Sequence, residues 1–488
     1  MIFEDKKVLV FGFGILGGGL ATTNWLLRQG ARVTVTDLKT QEQLSDSLGK
    51  IEGHVELRLG GHSMRDIEEN DIIVINPDVS IRNEFIQYAF KLGKEVANEA
   101  TIFFQEFKKS LGGTRDKPII AVTGTRGKTT ITTWVEHFLK PKFKSSIAGN
   151  SLTHPFLKVL DRAGGLEMAV AEISSFHLEL FDRTPISGPA IAVITNIFQD
   201  HLNRHQTIEE YARIKANIFK YQTSDNNLIL NYDNKWTQFL LTQKPLAKVW
   251  YFSGQILPVG LNGVWSSDKT VYFRKAGLKE KALMLSDSVL MRGEHNISNL
   301  LAAALSAHLA GCSWADIQFR INSLPEIPFR QEIILKTDTL TVVNDTAATS
   351  PEGAIQALKR FGGLETVLIT GGTDRDLDFV ELVKIIPQFI QSSNLVFLAG
   401  SATEKIRLAL GDFAASCPIY DSLQECVEVA FKKALQQSSG QAGQYPQSVI
   451  LFSPASKSFE KFENEYDRGE QFNNLIKKHL ESNSGSGL

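Results

Sequence analysis

The sequence predicts an α/β chain in which parallel sheets, covered by helices, recur in three successive sets. Three observations carry this. Apolar, β-branched runs alternate with stretches of helical period, the mark of stacked βαβ units. Two glycine-bearing segments lie directly between such a run and a helix, where a parallel sheet presents its ligand loops. The length of 488 residues, at roughly 100 to 200 residues per domain, suggests two to four domains.

The first set opens with the apolar strand Val8-Leu9-Val10-Phe11, followed by a glycine turn, a helix closing near Gly30 and a strand over 33–36. Residues 71–76 read as another buried strand, stopped by Pro77 because proline cannot donate to a ladder. The second set begins at 118–123, continues through a loop into a helix from about Lys128, and adds strands near 168–173, 189–195 and 227–231. Beyond Pro325 and Pro328 a third set has strands near 340–344, 366–370, 394–399 and 448–453. Domain boundaries fall near 98 and 326, giving 1–98, 99–326 and 327–488, with a polar, disordered tail from about 482.

Composition narrows the class. Apolar residues at 43% and charged residues at 22% are ordinary for a soluble globular chain. With 52 Lys+Arg against 54 Asp+Glu the net charge is −2, which disfavours nucleic acid or anionic lipid as a partner but not small phosphorylated ligands. The 20 uncharged residues between Lys7 and Arg28 hold five glycines, a poor membrane span, so no membrane insertion is expected. Three cysteines without a C-x-x-C spacing fit a reducing cytoplasm and offer neither a disulfide framework nor a thiolate zinc site.

Two motifs carry chemistry. Gly12-x-Gly14-x-x-Gly17 follows a strand, and Asp37 ends the next strand. The glycines let backbone approach a pyrophosphate at a helix N-terminus while the acid accepts from a hydroxyl. NAD and a UDP group satisfy this equally, and a plain tight turn is the bland alternative. The second motif, Thr123-Gly124-Thr125-Arg126-Gly127-Lys128-Thr129-Thr130, departs from the full phosphate-loop pattern because Val122 stands at the first glycine. Its backbone N–H groups can still cradle phosphate, Lys128 can neutralise it, and the Thr129 hydroxyl can ligate Mg²⁺. Glu172 to His177 and Thr195 to His201 each follow a strand, so Glu172 and His201 can converge on that phosphate. Lys215, four residues after Tyr211 on a helical stretch, reads by spacing alone as a solvated lysine.

The T-G-T-x-G-K-T loop, E-I-S-S-F at 172–176, T-N-I-x-x-D-H-L-x-R-H at 195–205, G-x-H-N at 293–296 and S-P-A-x-x-S-F at 453–459 resemble, in order over nearly the whole chain, the Mur ligases of bacterial cell-wall synthesis. With a G-x-G-x-x-G first domain, the chain is most similar to their glutamate-adding branch. That resemblance implies a Rossmann-like N-terminal domain for a UDP-linked substrate, a central P-loop ATPase domain and a Rossmann-like C-terminal domain for the amino acid. ATP would phosphorylate the carboxylate of UDP-N-acetylmuramoyl-L-alanine, and the amine of glutamate would displace phosphate. Lys128, His201 and Lys215 are then the catalytic candidates. Two Mg²⁺ ions would be held by Thr129 with Glu172 and by His201 with Lys215, the lysine as a carbamate. Nucleotide contacts fall to Gly124, Thr125, Arg126, Gly127, Lys128, Thr129, Thr130, Asn299, Arg330 and Asp345. Arg330 would reach ATP on closure about a hinge near 326. Substrate contacts fall to Gly14, Ile15, Leu16, Asp37, Asn76, Asn150, Ser174, Arg375 and Ser458. A monomer in the cytoplasm is expected.

Departures gather at two sites. Leu16 replaces a hydroxyl residue, and Asn76-Pro77-Asp78 stands where the family usually reads Ser-Pro-Gly. In the third domain the usual D-S-K-A-T is Asp345-Thr346-Ala347-Ala348-Thr349, losing a lysine at Ala347. Arg375 stands for a lysine, and Glu465 brings a carboxylate that Arg375 or Arg468 would have to balance. Glutamate remains the expected amino acid, D by the rest of the resemblance and L as the alternative. A nicotinamide dehydrogenase would leave the Lys128 loop idle, a noncatalytic nucleotide-binding module need not hold Glu172, His201 and Lys215 together, and a folate-directed ligase lacks the UDP-type first domain.

Overall fold

The computed structural model describes residues 3–15, 17–109, 117–149, 154–184, 186–290, 292–363, 365–438 and 448–483. Leu16 and Asn150, and the tail from 484, lie outside the described residues. The chain builds three open sheets.

The first comprises β1 (Lys7–Phe11), β2 (Arg32–Asp37), β3 (Glu56–Leu59), β4 (Ile72–Ile75) and β5 (Glu95–Ala97), all parallel, in the order β3-β2-β1-β4-β5. Central β1 and β4 are apolar throughout their buried length because helices cover both faces. The strand order reverses beside β1, so its C-terminal end opens the crevice where such sheets take ligands.

The second sheet has β6 (Ile119–Thr123), β7 (Ser145–Gly149), β8 (Met168–Glu172), β9 (Ile191–Ile194), β10 (Asn227–Asn231), β11 (Lys248–Ser253), β12 (Gly263–Ser267), β13 (Thr270–Lys275) and β14 (Leu278–Met284). Its order is β14-β13-β12-β11-β10-β9-β6-β8-β7, parallel from β7 to β12. The edge β12–β14 is an antiparallel ribbon to which the sequence gives little clue, since Leu278–Lys281 is exposed and its residues Lys279, Glu280 and Lys281 are charged. Those charges also guard the open edge. The helix Glu99–Lys109 buries Phe103, Phe104 and Phe107 in this sheet's core.

The third sheet holds β15 (Glu332–Lys336), β16 (Leu340–Asn344), β17 (Thr366–Thr370), β18 (Leu395–Leu398), β19 (Ile419–Tyr420) and β20 (Ser448–Phe452), in the order β15-β16-β20-β17-β18-β19. It is parallel except for edge strand β15. The first two sheets and residues Asn296–Leu324 form one compact unit. The third sheet forms another, from Pro325 onward with a short stretch ending at His295. Among the described residues no helix is long and apolar enough to cross a membrane.

Candidate active site

The second sheet shapes the strongest site. Between β6 and the helix Lys128–Leu139, the loop turns on Gly127 at φ 84°, the left-handed N-cap of that helix. A side chain there would run into the Asn299 amide, and one at Gly124 into the Thr195 hydroxyl, so both positions need glycine for clearance as well as conformation. The segment after β9 holds the loop: the Arg126 N–H donates to Asn196 Oδ1 at 2.9 Å, the Thr125 N–H to the Asn196 carbonyl at 2.9 Å, and Thr195 Oγ1 to the Arg126 carbonyl at 2.6 Å. Thr195 and Asn196 are thus loop-positioning residues whose signal was the T-N-I segment. Thr130 is buried within the first turn of that helix.

Two ammonium groups meet on one carbonyl. Lys128 Nζ donates to the Gly124 and Thr125 carbonyls at 3.1 Å each, and Lys215 Nζ donates to the Gly124 carbonyl at 2.9 Å. Lys215 is not the solvated lysine its spacing suggests. It is 1% exposed, with its ammonium 4.5 Å from the Tyr211 ring centroid. Burial first, and the Lys128 charge second, push its pKa well below the ordinary lysine value.

Around them stand oxygen and imidazole groups. Thr129 Oγ1 donates to Glu172 Oε1 at 3.2 Å, Glu172 lying at the end of β8 beside β6. His201 takes a left-handed backbone (φ 53°), costly for a side chain of this kind and characteristic of functional loops. Its ring packs edge-on against Phe176 and Tyr211, and its Nε2 is 3.7 Å from Asp200 Oδ2. Asp200 also accepts from Arg126 Nη1 at 3.0 Å. Among the described residues no three His, Cys, Asp or Glu side chains gather as a metal site would, so hydroxyls and a modified lysine would have to complete one. Behind this wall runs a buried chain: Ser174 Oγ lies 2.8 Å from His177 Nδ1, and His177 Nε2 lies 3.0 Å from Glu99 Oε1.

In the first sheet, Gly14 (φ 66°) and Gly17 (φ 87°) bend the loop after β1, and a side chain at Gly19 would overlap the Phe13 carbonyl. Asp37 is buried, and its carboxylate accepts the Gly14 and Lys39 N–H groups at 2.8 Å each. It therefore braces the loop before it meets any ligand. Ile15 is exposed, and Asn76 Oδ1 accepts the Asp78 N–H at 3.0 Å. A small, partly open depression lies beside the loop, lined by Gly12, Asn76 and Glu99 among others. Arg204 links the first two sheets. It forks onto Glu179 at 2.7 and 2.8 Å and donates to the Asp78 and Val79 carbonyls at 2.7 and 3.0 Å.

In the third sheet's unit, Asp345 directly follows the strand β16 and is buried, accepting from Ser453 Oγ at 2.7 Å and from the Gln331 N–H at 3.0 Å. Burial pushes its carboxyl up to about 7, against those hydrogen bonds and the nearby Arg330 and Arg360 charges. Arg330 itself is exposed. Arg375 lies over the Phe459 ring, 5.0 Å from its centroid, and the buried Ser458 Oγ has no hydrogen-bond partner. Arg468 gives its donors to Thr346 and to the Ser456 and Lys457 carbonyls, not to the Glu465 carboxylate.

A family model for the Mur ligase middle domain matches residues 122–307, and one for the Mur ligase MurD-like N-terminal domain matches 6–98. The chain is 33% identical over 485 residues to a UDP-N-acetylmuramoylalanine–D-glutamate ligase of Roseiflexus sp. (strain RS-1), covering 98% of this chain and 99% of that one. It is 31% identical over 480 residues to a protein of that name from Caldanaerobacter subterraneus subsp. tengcongensis, covering 98% and 99%. Among solved structures it resembles MurF ligase from Thermotoga maritima in complex with ADP, with a TM-score of 0.55 at 16% identity over 92% of this chain and 95% of that one.

Proposed function

This chain belongs to the Mur ligase family, and on that footing we propose how its sheets divide one reaction. It is an ATP-dependent ligase that joins D-glutamate to UDP-N-acetylmuramoyl-L-alanine in peptidoglycan precursor synthesis. The L-alanyl carboxylate attacks the γ-phosphorus of ATP, ADP leaves, and the glutamate nitrogen then attacks the acyl carbon while phosphate departs and the amine loses a proton.

The observation that carries the assignment of roles is the meeting of Lys128 and Lys215 at the Gly124 carbonyl. Two cations converge on a loop that leads into a helix N-terminus, an arrangement that an anion relieves. Lys128 neutralises the transferring phosphoryl group, and Gly124, Thr125, Arg126, Gly127, Thr129 and Thr130 frame it, with Asn299 against Gly127. Thr129 and Glu172 are hard oxygen donors of the kind Mg²⁺ takes, and they are in contact. His201 with Lys215 would hold a second ion only if the lysine is a carbamate. Burial favours that: a neutral amine adds to CO₂, forming the N–C bond and losing a proton, to leave an oxygen ligand. Mg²⁺, when bound, would offset charge on the transferring phosphoryl group.

The loop after β1, with Gly14, Ile15, Asp37 and Asn76, takes the UDP group, and Ser174 takes the substrate end nearest the phosphate loop. Arg330 and Asp345 serve the nucleotide, and Arg375 and Ser458 the glutamate. The buried, unpartnered Ser458 hydroxyl supports that last role, because such a group is costly without a partner. The protein works in the cytoplasm, a reading supported by its free cysteines and its ATP substrate, and we read it as a monomer. Phosphate release with UDP-N-acetylmuramoyl-L-alanine and each glutamate enantiomer tests the whole. Release with D-glutamate is expected, and none with either enantiomer would overturn it.

A further inference from the structure

We propose that His177, held by Glu99, is a positioning residue of the ligase reaction: it turns the Ser174 hydroxyl so that its oxygen accepts a hydrogen bond from an N–H or O–H of the UDP substrate. The proposal rests on the reading of Ser174 as a contact to that substrate.

The three side chains form one continuous chain of hydrogen bonds. Ser174 is half-buried and caps the short helix Ser175–Leu178, two residues beyond Glu172. His177 is fully buried, with Nδ1 2.8 Å from Ser174 Oγ and Nε2 3.0 Å from Glu99 Oε1. Glu99 opens the helix Glu99–Lys109, is 12% exposed and borders the depression beside the first glycine turn. The imidazole is held on its other sides as well. Its ring packs edge-on against Phe156, centroids 5.4 Å apart, and Asn98 Nδ2 donates to the His177 carbonyl at 2.9 Å. Asn98 is fixed in turn, because its Oδ1 accepts the Thr101 N–H and its own N–H donates to Thr101 Oγ1, at 2.9 Å each.

The chain has a direction. A carboxylate only accepts, so the Nε2 hydrogen goes to Glu99, and in the neutral ring Nδ1 keeps its lone pair. Ser174 then gives its one hydrogen to Nδ1. The same oxygen accepts the His177 N–H at 3.3 Å, and among the described residues it has no third partner. One lone pair is left, on the half-buried member of an otherwise enclosed chain. It repels the phosphate and carboxylate oxygens of the substrates and suits a donor instead. Without Glu99 either ring nitrogen could carry the hydrogen, and the Ser174 hydroxyl could face either way.

The alternative is that the chain only ties the helix Glu99–Lys109 to the 174–178 segment. Phosphate release by the full-length enzyme separates the two. Ser174→Ala should raise the KM for UDP-N-acetylmuramoyl-L-alanine roughly three- to tenfold, the worth of one hydrogen bond, and spare the KM for ATP and for D-glutamate. His177→Gln, which leaves nothing at the Nδ1 position, and Glu99→Ala should each give a similar rise, and neither should add to it in the Ser174→Ala background. Glu99→Gln, whose amide oxygen still accepts, should stay close to the parent. Histidine-selective ¹⁵N NMR should place the His177 hydrogen on Nε2. A further rise on top of Ser174→Ala, or an equal rise for all three substrates, shows a structural tie and overturns the proposal. So does an unchanged KM in Ser174→Ala, or a hydrogen found on Nδ1. Glu99→Ala carries the test if His177→Gln folds poorly. The unsubstituted enzyme reports separately on the ligase reading, which fails if neither glutamate enantiomer gives turnover, while the NMR result still decides the tautomer.

Discussion

At the scale of single residues, environment decides chemistry more than residue type does. Lys215 and Lys128 both reach the Gly124 carbonyl, yet only Lys215 is fully buried, and burial turns an ordinary ammonium toward the neutral amine that CO₂ requires. Lys215→Ala should therefore abolish most turnover, and a short carboxylate such as acetate in the buffer should restore part of it. An absence of rescue, together with an unmodified lysine mass in bicarbonate-replete buffer, would remove the carbamate. Asp345 shows the reverse effect. Its carboxyl titrates at about 7 when folded against an ordinary 3.8, so between those values the folded chain holds a proton that the unfolded chain has released. Stability then falls as pH rises through this window, by at most ~1.4 kcal/mol per pH unit, and levels off above about 7. Asp345→Asn should lack that fall, so its melting temperature relative to the parent should improve from pH 5 to pH 7.5. A constant difference would show that Asp345 is ionised throughout.

Within elements, the phosphate loop is a joint product of the strand ends of β6 and β9. Thr195 and Asn196 hold its backbone and Gly127 lets it turn. Gly127→Ala would strain a left-handed position by ~1 to 2 kcal/mol and displace the Asn299 amide. The expected result is a raised KM for ATP with unaltered binding of UDP-N-acetylmuramoyl-L-alanine, read by titration calorimetry of the free enzyme. Lys128→Ala should lower kcat on the order of 10²-fold or more through lost charge stabilisation, while the same calorimetric titration stays normal. Near-normal amide formation by that variant would contradict the role given to the loop.

Across the whole molecule, the three sheets imply three separable ligand footprints. Hydrogen exchange should slow around residues 12–15 and 76–79 with the UDP substrate, around 124–130 with Mg²⁺-ATP, and around 346–349 and 457–459 with D-glutamate added to the other two. Protection by glutamate at the first sheet instead would misplace the amino-acid site. Arg375→Ala should raise the glutamate KM more than tenfold while sparing that of ATP, since losing one charge-assisted pair is worth ~2 to 5 kcal/mol.

What is local was legible without a fold: the apolar runs of β1, β6 and β17, the helix starting at Lys128 and the two glycine turns are written in neighbouring residues, because a strand buried on both faces and a left-handed turn each leave a short-range pattern. Resemblance then gave the order of the motifs a chemistry. The sequence was silent on the ribbon β12–β14, whose edge strand is too polar to mark itself, and misleading on Lys215, whose spacing on an amphipathic helix says nothing of what packs over it. The bonds from Arg204 to the Asp78 loop, from His177 to Glu99 and from Lys457 to Thr349 join residues 126, 78 and 108 positions apart. Only the tertiary structure decides these, because hydrogen bonding and desolvation depend on distance in space, and chain separation of that length fixes no distance.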